Sequence, residues 1–380
     1  MGWDIIFAAV ILAAWIYLTG ARGGFWMASV RDGERLPLPG PWPVVVAVVP
    51  ARDEAPCVGE SIGSLLDQDY PGAISVILVD DQSRDGTAAV ASHAAELRSA
   101  SDRLTIVSGK PVPPGWMGKT WAQQQGLEIA QGRPVPPSYV LLTDADIVHA
   151  RDTLAWLVAQ AQSTGSVLTS LIAKLSCKSF AEQALVPAFI YFFQMLYPFR
   201  WVNDPARTTA AAAGGCMLVD CNALAQAGGI AAIADAVIDD CALAKKLKER
   251  GTIWLGLTER VRSIRTYPQF SDIRQMVTRS AYAQLRYSPV LLAGMIAALG
   301  LVYVAPVLFA VLGSGIAQAL GIASWILMAI SFGPTLMFYG MPGWWPPTLP
   351  AIAFIYMGFT IDSAWQHMRG GGATWKGRVV

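Results

Sequence analysis

From residue 287 to residue 361 the chain carries no charged side chain. A run of that length and character is poorly suited to a water-facing surface. At about 20 residues per crossing it has room for three membrane helices. The expected C-terminal membrane region covers 288–366, with segments at 290–312, 322–339 and 349–361. Residues 342–347 (Pro-Gly-Trp-Trp-Pro-Pro) separate the last two and put Trp344 and Trp345 at a membrane–water interface. The third segment is short, so it either spans or re-enters. A basic tail, 367–380, follows it.

The other end of the chain repeats the theme. Residues 5–18 are apolar and uncharged, with Trp3 and Tyr17 as interface aromatics. Asp4 is the only early charge and no small-x-small cleavage site follows, so 1–22 reads as a transmembrane anchor and not as a signal peptide. Arg22, Arg31 and Arg35 come next, which places the remainder in the cytoplasm by the positive-inside rule. A Pro-rich linker occupies 23–42. Hydrophobic residues make up 54% of the chain and charged residues 14%, a balance that suits a membrane protein. A net charge of +1 offers no hold on nucleic acid. The five cysteines (Cys57, Cys177, Cys216, Cys221 and Cys241) lack a histidine at zinc spacing and read as reduced core residues.

Between the apolar ends lies an expected cytoplasmic α/β domain, 43–287. Residues 74–79 are short, apolar and β-branched, the pattern of a strand buried on both faces of a parallel sheet. The run stops at Asp80 and Asp81. Asp85-Gly86 is a turn, and Thr87 is placed to cap a helix over 88–100. A second such strand, 44–49, ends in Pro50, Arg52, Asp53 and Glu54, and a helix over 56–68 joins the two. A third strand covers 104–107. A fourth, 139–142, ends in Thr143-Asp144-Ala145-Asp146. Open α/β sheets bind ligands at the carboxyl ends of their strands. Three acidic strand ends on one rim repel phosphate and suit a base, a ribose or a cation.

Asp81 is the candidate for the base or ribose, while Asp80 and Asp85 either share that work or shape the turn. Asp144 and Asp146, one apart in a strand, would point the same way and could hold a hard divalent cation that also grips substrate phosphates. His149 is a possible further ligand. Lys119, near the start of a helix reaching to about 130, either meets a diphosphate or lies on the surface. Residues 179–201 are aromatic and nearly uncharged: an interfacial helix, or alternatively a buried core helix. Gly214 and Gly215 mark a close backbone approach or a tight bend. Asp239 and Asp240 open a helix. They either complement its dipole or supply a general base. Arg279 and Arg286 share a face that could meet anionic groups. No Gly-x-Gly-x-x-Gly and no P-loop pattern occurs, which argues against a dinucleotide dehydrogenase and a P-loop enzyme.

Taken together, Val49-Pro-Ala-Arg-Asp-Glu54, Val79-Asp-Asp-Gln-Ser-Arg-Asp-Gly-Thr87, Gly118-Lys119, Thr143-Asp-Ala-Asp146, Gly214-Gly215-Cys216 and Asp239-Asp240 resemble, in order and spacing, family 2 glycosyltransferases with a GT-A fold. Gly115-Trp-Met-Gly-Lys-Thr-Trp-Ala122, Ile238-Asp-Asp-Cys-Ala-Leu-Ala244 and Gln284-Leu-Arg-Tyr-Ser288, with the apolar tail, look like the hopene-associated membrane glycosyltransferases of bacterial hopanoid gene clusters. The resemblance implies a nucleotide pocket lined by Pro50, Arg52, Glu54 and Asp81, with Asp81 on uracil or another base. It implies Mg²⁺ or Mn²⁺ on Asp144 and Asp146, Lys119 and Asp144 on the donor diphosphate, and Asp240 as catalytic base. The implied partners are a nucleotide sugar, UDP-linked first, and a lipid acceptor at the bacterial inner membrane. Asp53 stands where Asn is usual, and Asp239 where Glu is common. Gln284-Leu-Arg-Tyr is a degenerate form of the Gln-x-x-Arg-Trp motif of processive synthases, which favours a single transfer over a polymer. Two other readings stay open: a transferase for a sphingoid, carotenoid or glycan acceptor, and a non-catalytic nucleotide-sugar-binding scaffold.

Overall fold

The computed structural model describes residues 2–33, 36, 40–370, 374–375 and 378–379. Arg35, part of the linker and residues 371–373, 376–377 and 380 of the basic tail lie outside the described residues. The chain divides into two compact units. One is built on a sheet and comprises Val30–Ser176, Trp201–Thr266 and Thr374–Val380. The other is helical and comprises Met1–Ser29, Cys177–Arg200 and Tyr267–Ala373. The continuous domain expected over 43–287 is therefore interrupted. Residues 177–200 and 267–287 group with the helices because their apolar faces pack there.

The sheet unit contains β1 (Val45–Ala51), β2 (Ile74–Asp80), β3 (Leu104–Ser108), β4 (Tyr139–Leu142), β5 (Ile147–His149), β6 (Ser166–Lys174), β7 (Met217–Asp220) and β8 (Thr252–Ser263). Among the described residues these form one eight-stranded open sheet in the order β3-β2-β1-β4-β7-β6-β8-β5. β3, β2, β1 and β4 run parallel. β7 is antiparallel to both its neighbours, β8 is parallel to β6, and β5 runs antiparallel along the edge. All seven residues of β1 are buried, as a central strand covered on both faces requires. Burying each of its valines contributes about 1.5–3 kcal/mol. Pro50 sits in β1 beyond Val48, where the pairing with β4 ends, so its missing N–H removes no bond on that side.

The parallel strands are joined by helices Ala55–Leu66 and Thr87–Glu96 and, between β3 and β4, Gly118–Gln131. The second helix differs from the expectation in its cap. Gly86, at φ 89°, takes the N-cap position, and Thr87 is already inside the helix. Asp144 and Asp146 differ too. They occupy the turn between β4 and β5, so strand alternation does not align them.

In the helical unit, among the described residues, three helices are long and apolar enough to cross a membrane: Trp3–Gly20, Pro289–Leu312 and Gly315–Phe338. The second carries a π turn at Gly300–Val304. The third begins at Gly315, seven residues before the expected 322, because its small first-turn residues are helical as well. The expected third C-terminal segment, 349–361, is part of a single helix, Leu349–Met368, that continues through Asp362 and does not belong to that set. Its last turns are polar. Asp362 accepts from Arg274 Nε at 2.8 Å, and Ser363 Oγ accepts from Tyr282 N at 3.1 Å, both on the helix Phe270–Gln284.

The stretch expected at an interface forms the helix Phe180–Leu196. Ten of its 17 residues are buried, including Glu182, Tyr191 and Gln194. Ser179 and Glu182 close a capping box at its start. Tyr191 Oη lies 2.8 Å from Ser331 Oγ, and Gln194 donates to Thr335 Oγ1 at 3.3 Å, so polar groups fix it against Gly315–Phe338. The packing within this unit is that of a core helix, the other alternative drawn from its sequence.

Candidate active site

The loops after β1 and β2 are tied to each other. Ser83 Oγ accepts from Asp53 N at 2.9 Å, and Asp53 Oδ1 accepts from Arg84 N at 2.8 Å. Thr87 Oγ1 accepts from Glu54 N at 2.9 Å and donates to Asp85 Oδ1 at 2.6 Å. Asp53 (φ 49°) and Gln82 (φ 57°) take left-handed conformations to allow this. Asp80 Oδ1 accepts from Ser83 N at 3.0 Å. Asp80 and Asp85 thus shape the turns. Asp81 is buried beside Arg52, which donates to its carbonyl at 2.7 Å and approaches Oδ2 at 3.5 Å.

A second cluster gathers around Lys119, in the first turn of Gly118–Gln131. Its Nζ is 2.9 Å from Asp144 Oδ1 and 3.2 Å from Asp239 Oδ2. Burial alone would lower the Lys119 pKa, but Asp144, Asp239 and Asp240 outweigh it and hold the ammonium charged. A surface position is therefore not what this lysine has. Burial raises the Asp144 carboxyl above its usual range, against the pull of Lys119 and with the push of Asp146 and Asp239.

Asp239 and Asp240 open the helix Asp239–Lys248, whose N-cap residue, Ile238, has no side chain that can cap it. Asp240 instead reaches across to the Gly214 loop. Its Oδ2 accepts from Gly214 N at 2.9 Å and its Oδ1 from Cys241 N at 2.7 Å. Burial first, and the neighbouring Asp239 second, push the Asp240 pKa up to about 6. A carboxylate poised there can take a proton near neutral pH. A Cβ at Gly214 would lie 2.9 Å from Lys119 Nζ and 3.5 Å from Asp240 Oδ2, so a side chain there would push the ammonium from its place.

Asp146 faces elsewhere. Its Oδ2 accepts from Arg265 Nε at 2.9 Å and from Ser263 Oγ at 3.2 Å. The same guanidinium donates through NH2 to both oxygens of Glu54 at 2.6 Å. Arg265 thereby joins two of the expected site residues, and sequence reasoning missed it. It follows β8, whose mixed pattern gives no sign that the chain there returns to the rim. His149 does not turn to the aspartates. Its Nε2 lies 3.0 Å from Thr143 Oγ1, and burial lowers its pKa to about 4, so the ring is neutral.

Among the described residues no group of three or more His, Cys, Asp and Glu side chains stands ready to hold a metal. What the rim offers is two carboxylates, Asp144 and Asp146, each in contact with one side-chain cation. That donor set fits Mg²⁺ or Mn²⁺, which bind through one or two carboxylates and complete their shell with substrate phosphates.

Residues 46–227 match Glycosyl transferase family 2. The matched region runs through β1–β7 and contains Asp81, Lys119, Asp144 and Asp146. That match covers a little under half of the chain. An N-acetylglucosaminyltransferase of Mesorhizobium japonicum is 31% identical to it over 136 residues. That match covers 35% of this chain and only 30% of the relative's length. Among solved structures, the mannosyltransferase PcManGT from Pyrobaculum calidifontis, in complex with GDP-Man and Mn²⁺, superposes with a TM-score of 0.54 at 18% identity. The superposition covers 96% of this chain and 99% of that one. At this identity the likeness is one of fold, and the glycosyl transferase domain has the GT-A fold with an open mixed sheet. Asp240 and Arg265 lie beyond the region matched to the family.

Proposed function

We propose that this chain is a membrane-bound, inverting glycosyltransferase. It moves one sugar from a nucleoside-diphosphate sugar, UDP-linked first, to a lipid hydroxyl in hopanoid or related lipid metabolism. The observation that carries the reading is Asp240, a partly buried carboxylate whose pKa is pushed up to about 6, placed within the charge cluster of Lys119 and Asp239 in a chain of which residues 46–227 match family 2. Asp240 removes the acceptor hydroxyl proton. The acceptor oxygen then forms its bond to the anomeric carbon, from the face opposite the leaving group. The bond from that carbon to the diphosphate oxygen breaks, and the electron pair departs with the nucleoside diphosphate. Lys119 provides positive charge for that leaving group. Pro50, Arg52, Glu54 and Asp81 line the nucleotide pocket, with Asp81 on the base. Asp144 and Asp146 would hold Mg²⁺ or Mn²⁺, which would supply further neutralisation of the diphosphate. Three apolar helices in the same chain support a lipid acceptor and residence in the bacterial cytoplasmic membrane, with the domain on the cytoplasmic side.

The test uses purified protein, UDP-hexoses and a divalent metal, with bacteriohopanetetrol and ceramide offered separately. A hexose mass added to the hopanoid and not to ceramide supports the acceptor reading. Transfer to ceramide alone overturns it. EDTA is expected to abolish transfer, with rescue by Mn²⁺ or Mg²⁺, and Asp146→Asn to remain inactive even with metal. Full activity in chelator would sink the metal assignment.

A further inference from the structure

We propose that Lys119 and Arg265 are resident counter-ions that keep the divalent-cation seat closed until a nucleoside diphosphate arrives to take them over. The inference rests on the metal reading given above. Both carboxylates that would ligate the ion are engaged, Asp144 by Lys119 at 2.9 Å and Asp146 by Arg265 at 2.9 Å. Each cation also has a second anchor, Asp239 for Lys119 at 3.2 Å and Glu54 for Arg265 at 2.6 Å. The side chains of Lys119, Asp146, Asp239 and Glu54 are less than a fifth exposed and those of Asp144 and Arg265 about a third, so water screens these pairs only in part.

A metal ion arriving alone must take Asp144 and Asp146 from their partners. It would then leave an ammonium and a guanidinium beside a doubly charged ion in a partly screened site. A diphosphate changes that balance. Its oxygens accept from a lysine ammonium and, bidentately, from an arginine fork. With the two cations turned onto phosphate, Asp144 and Asp146 become available to the metal, which the same phosphates also ligate. Metal and nucleotide binding are therefore coupled, and by linkage the coupling is reciprocal.

The experiment is Mn²⁺ binding to the full-length protein in detergent, read by the EPR signal of free Mn²⁺, alone and with saturating UDP or GDP. For wild type, nucleotide is expected to tighten Mn²⁺ binding by at least about tenfold, inside the usual range of coupling between sites. Arg265→Gln is expected to bind Mn²⁺ alone about fivefold or more tighter than wild type, with a smaller effect of nucleotide. Arg265→Lys keeps the charge beside Asp146 and should stay close to wild type in Mn²⁺ alone. Should the Gln variant not fold, Lys119→Gln, which removes the cation beside Asp144, carries the same comparison in Mn²⁺ alone. Equal Mn²⁺ affinity with and without nucleotide overturns the inference and leaves the metal assignment standing. So does a folded Arg265→Gln variant whose affinity for Mn²⁺ alone is unchanged. No Mn²⁺ binding under any condition overturns both.

Discussion

At the residue scale the sharpest question is Asp240. Its Oδ2 accepts from Gly214 N, across from the helix, and its Oδ1 from Cys241 N in the helix's own first turn. Asp240→Asn should keep one of those acceptors and lose the base. We expect turnover to fall by about 10²–10⁴-fold with donor affinity nearly unchanged. Calorimetry for donor binding and a rate assay separate the two. The pH dependence has a definite sign. A carboxyl whose folded pKa is raised to about 6 favours the fold while protonated, and that contribution is lost as pH rises through 6. Catalysis needs the opposite form, so kcat/KM should drop as pH falls below about 6. The Asp240→Asn variant should then melt no lower than wild type at pH 8. Asp239 helps to raise the Asp240 pKa and also draws on Lys119. Asp239→Asn should therefore move the acid limb of the profile to lower pH while costing far less rate. An unmoved limb would separate Asp240 from the observed pH dependence.

Helices and strands determine whether these groups meet. The helix Gly118–Gln131 carries Lys119 at one end and packs closely on the sheet through Gly126. A Cβ on Gly126 would enter the contact shell of Val48 Cγ1 on β1 and come within 3.2 Å of Val79 Cγ2 on β2. Both neighbours are β-branched core residues with little room to turn. Gly126→Ala should destabilise the domain by about 1–3 kcal/mol through overpacking. It should also weaken donor binding, because lifting the helix moves Lys119 away from Asp144. Denaturant unfolding and nucleotide titration read the two effects. A variant of normal stability and affinity would show that the helix has slack at this position. The strain at Asp53 and Gln82 belongs to the same scale. The two loops hold left-handed residues so that Ser83 and Thr87 can satisfy the N–H groups of Asp53 and Glu54.

At the scale of the whole molecule the count of crossing helices decides topology. Among the described residues one helix long and apolar enough to cross precedes the residues matched to the family and two follow them. An even number after the domain returns the chain to the side it left. We therefore expect reporters fused after Gly40, near Arg133 and at the C-terminus all to report cytoplasm. The basic residues Arg369, Lys376 and Arg378 agree with that side. Asp362 bound to Arg274, and Ser363 bound to Tyr282 N, hold the end of Leu349–Met368 on a helix that itself carries several charges. A periplasmic C-terminal signal would mean that Leu349–Met368 crosses after all.

Much of the protein was legible in its sequence because the relevant physics is local. Runs of apolar, β-branched residues such as 45–49 and 74–79 bury themselves wherever they lie. The carboxylates that end such runs must therefore stand at a rim. That placed Asp81 and the 144–146 pair before any fold was known, and the uncharged run 287–361 likewise foretold the long apolar helices Pro289–Leu312 and Gly315–Phe338. Partnership was not legible. Lys119 meets Asp144 and Asp239, and Arg265 meets Glu54 and Asp146, across sequence distances that no periodicity spans. The helix Phe180–Leu196 reads as interfacial from its composition, and only its neighbours in the helical unit decide that it is buried. Apolar patterning determines which face of an element leaves water. Which charges then stand opposite each other depends on strand order and helix packing, and these exist only once the chain has folded.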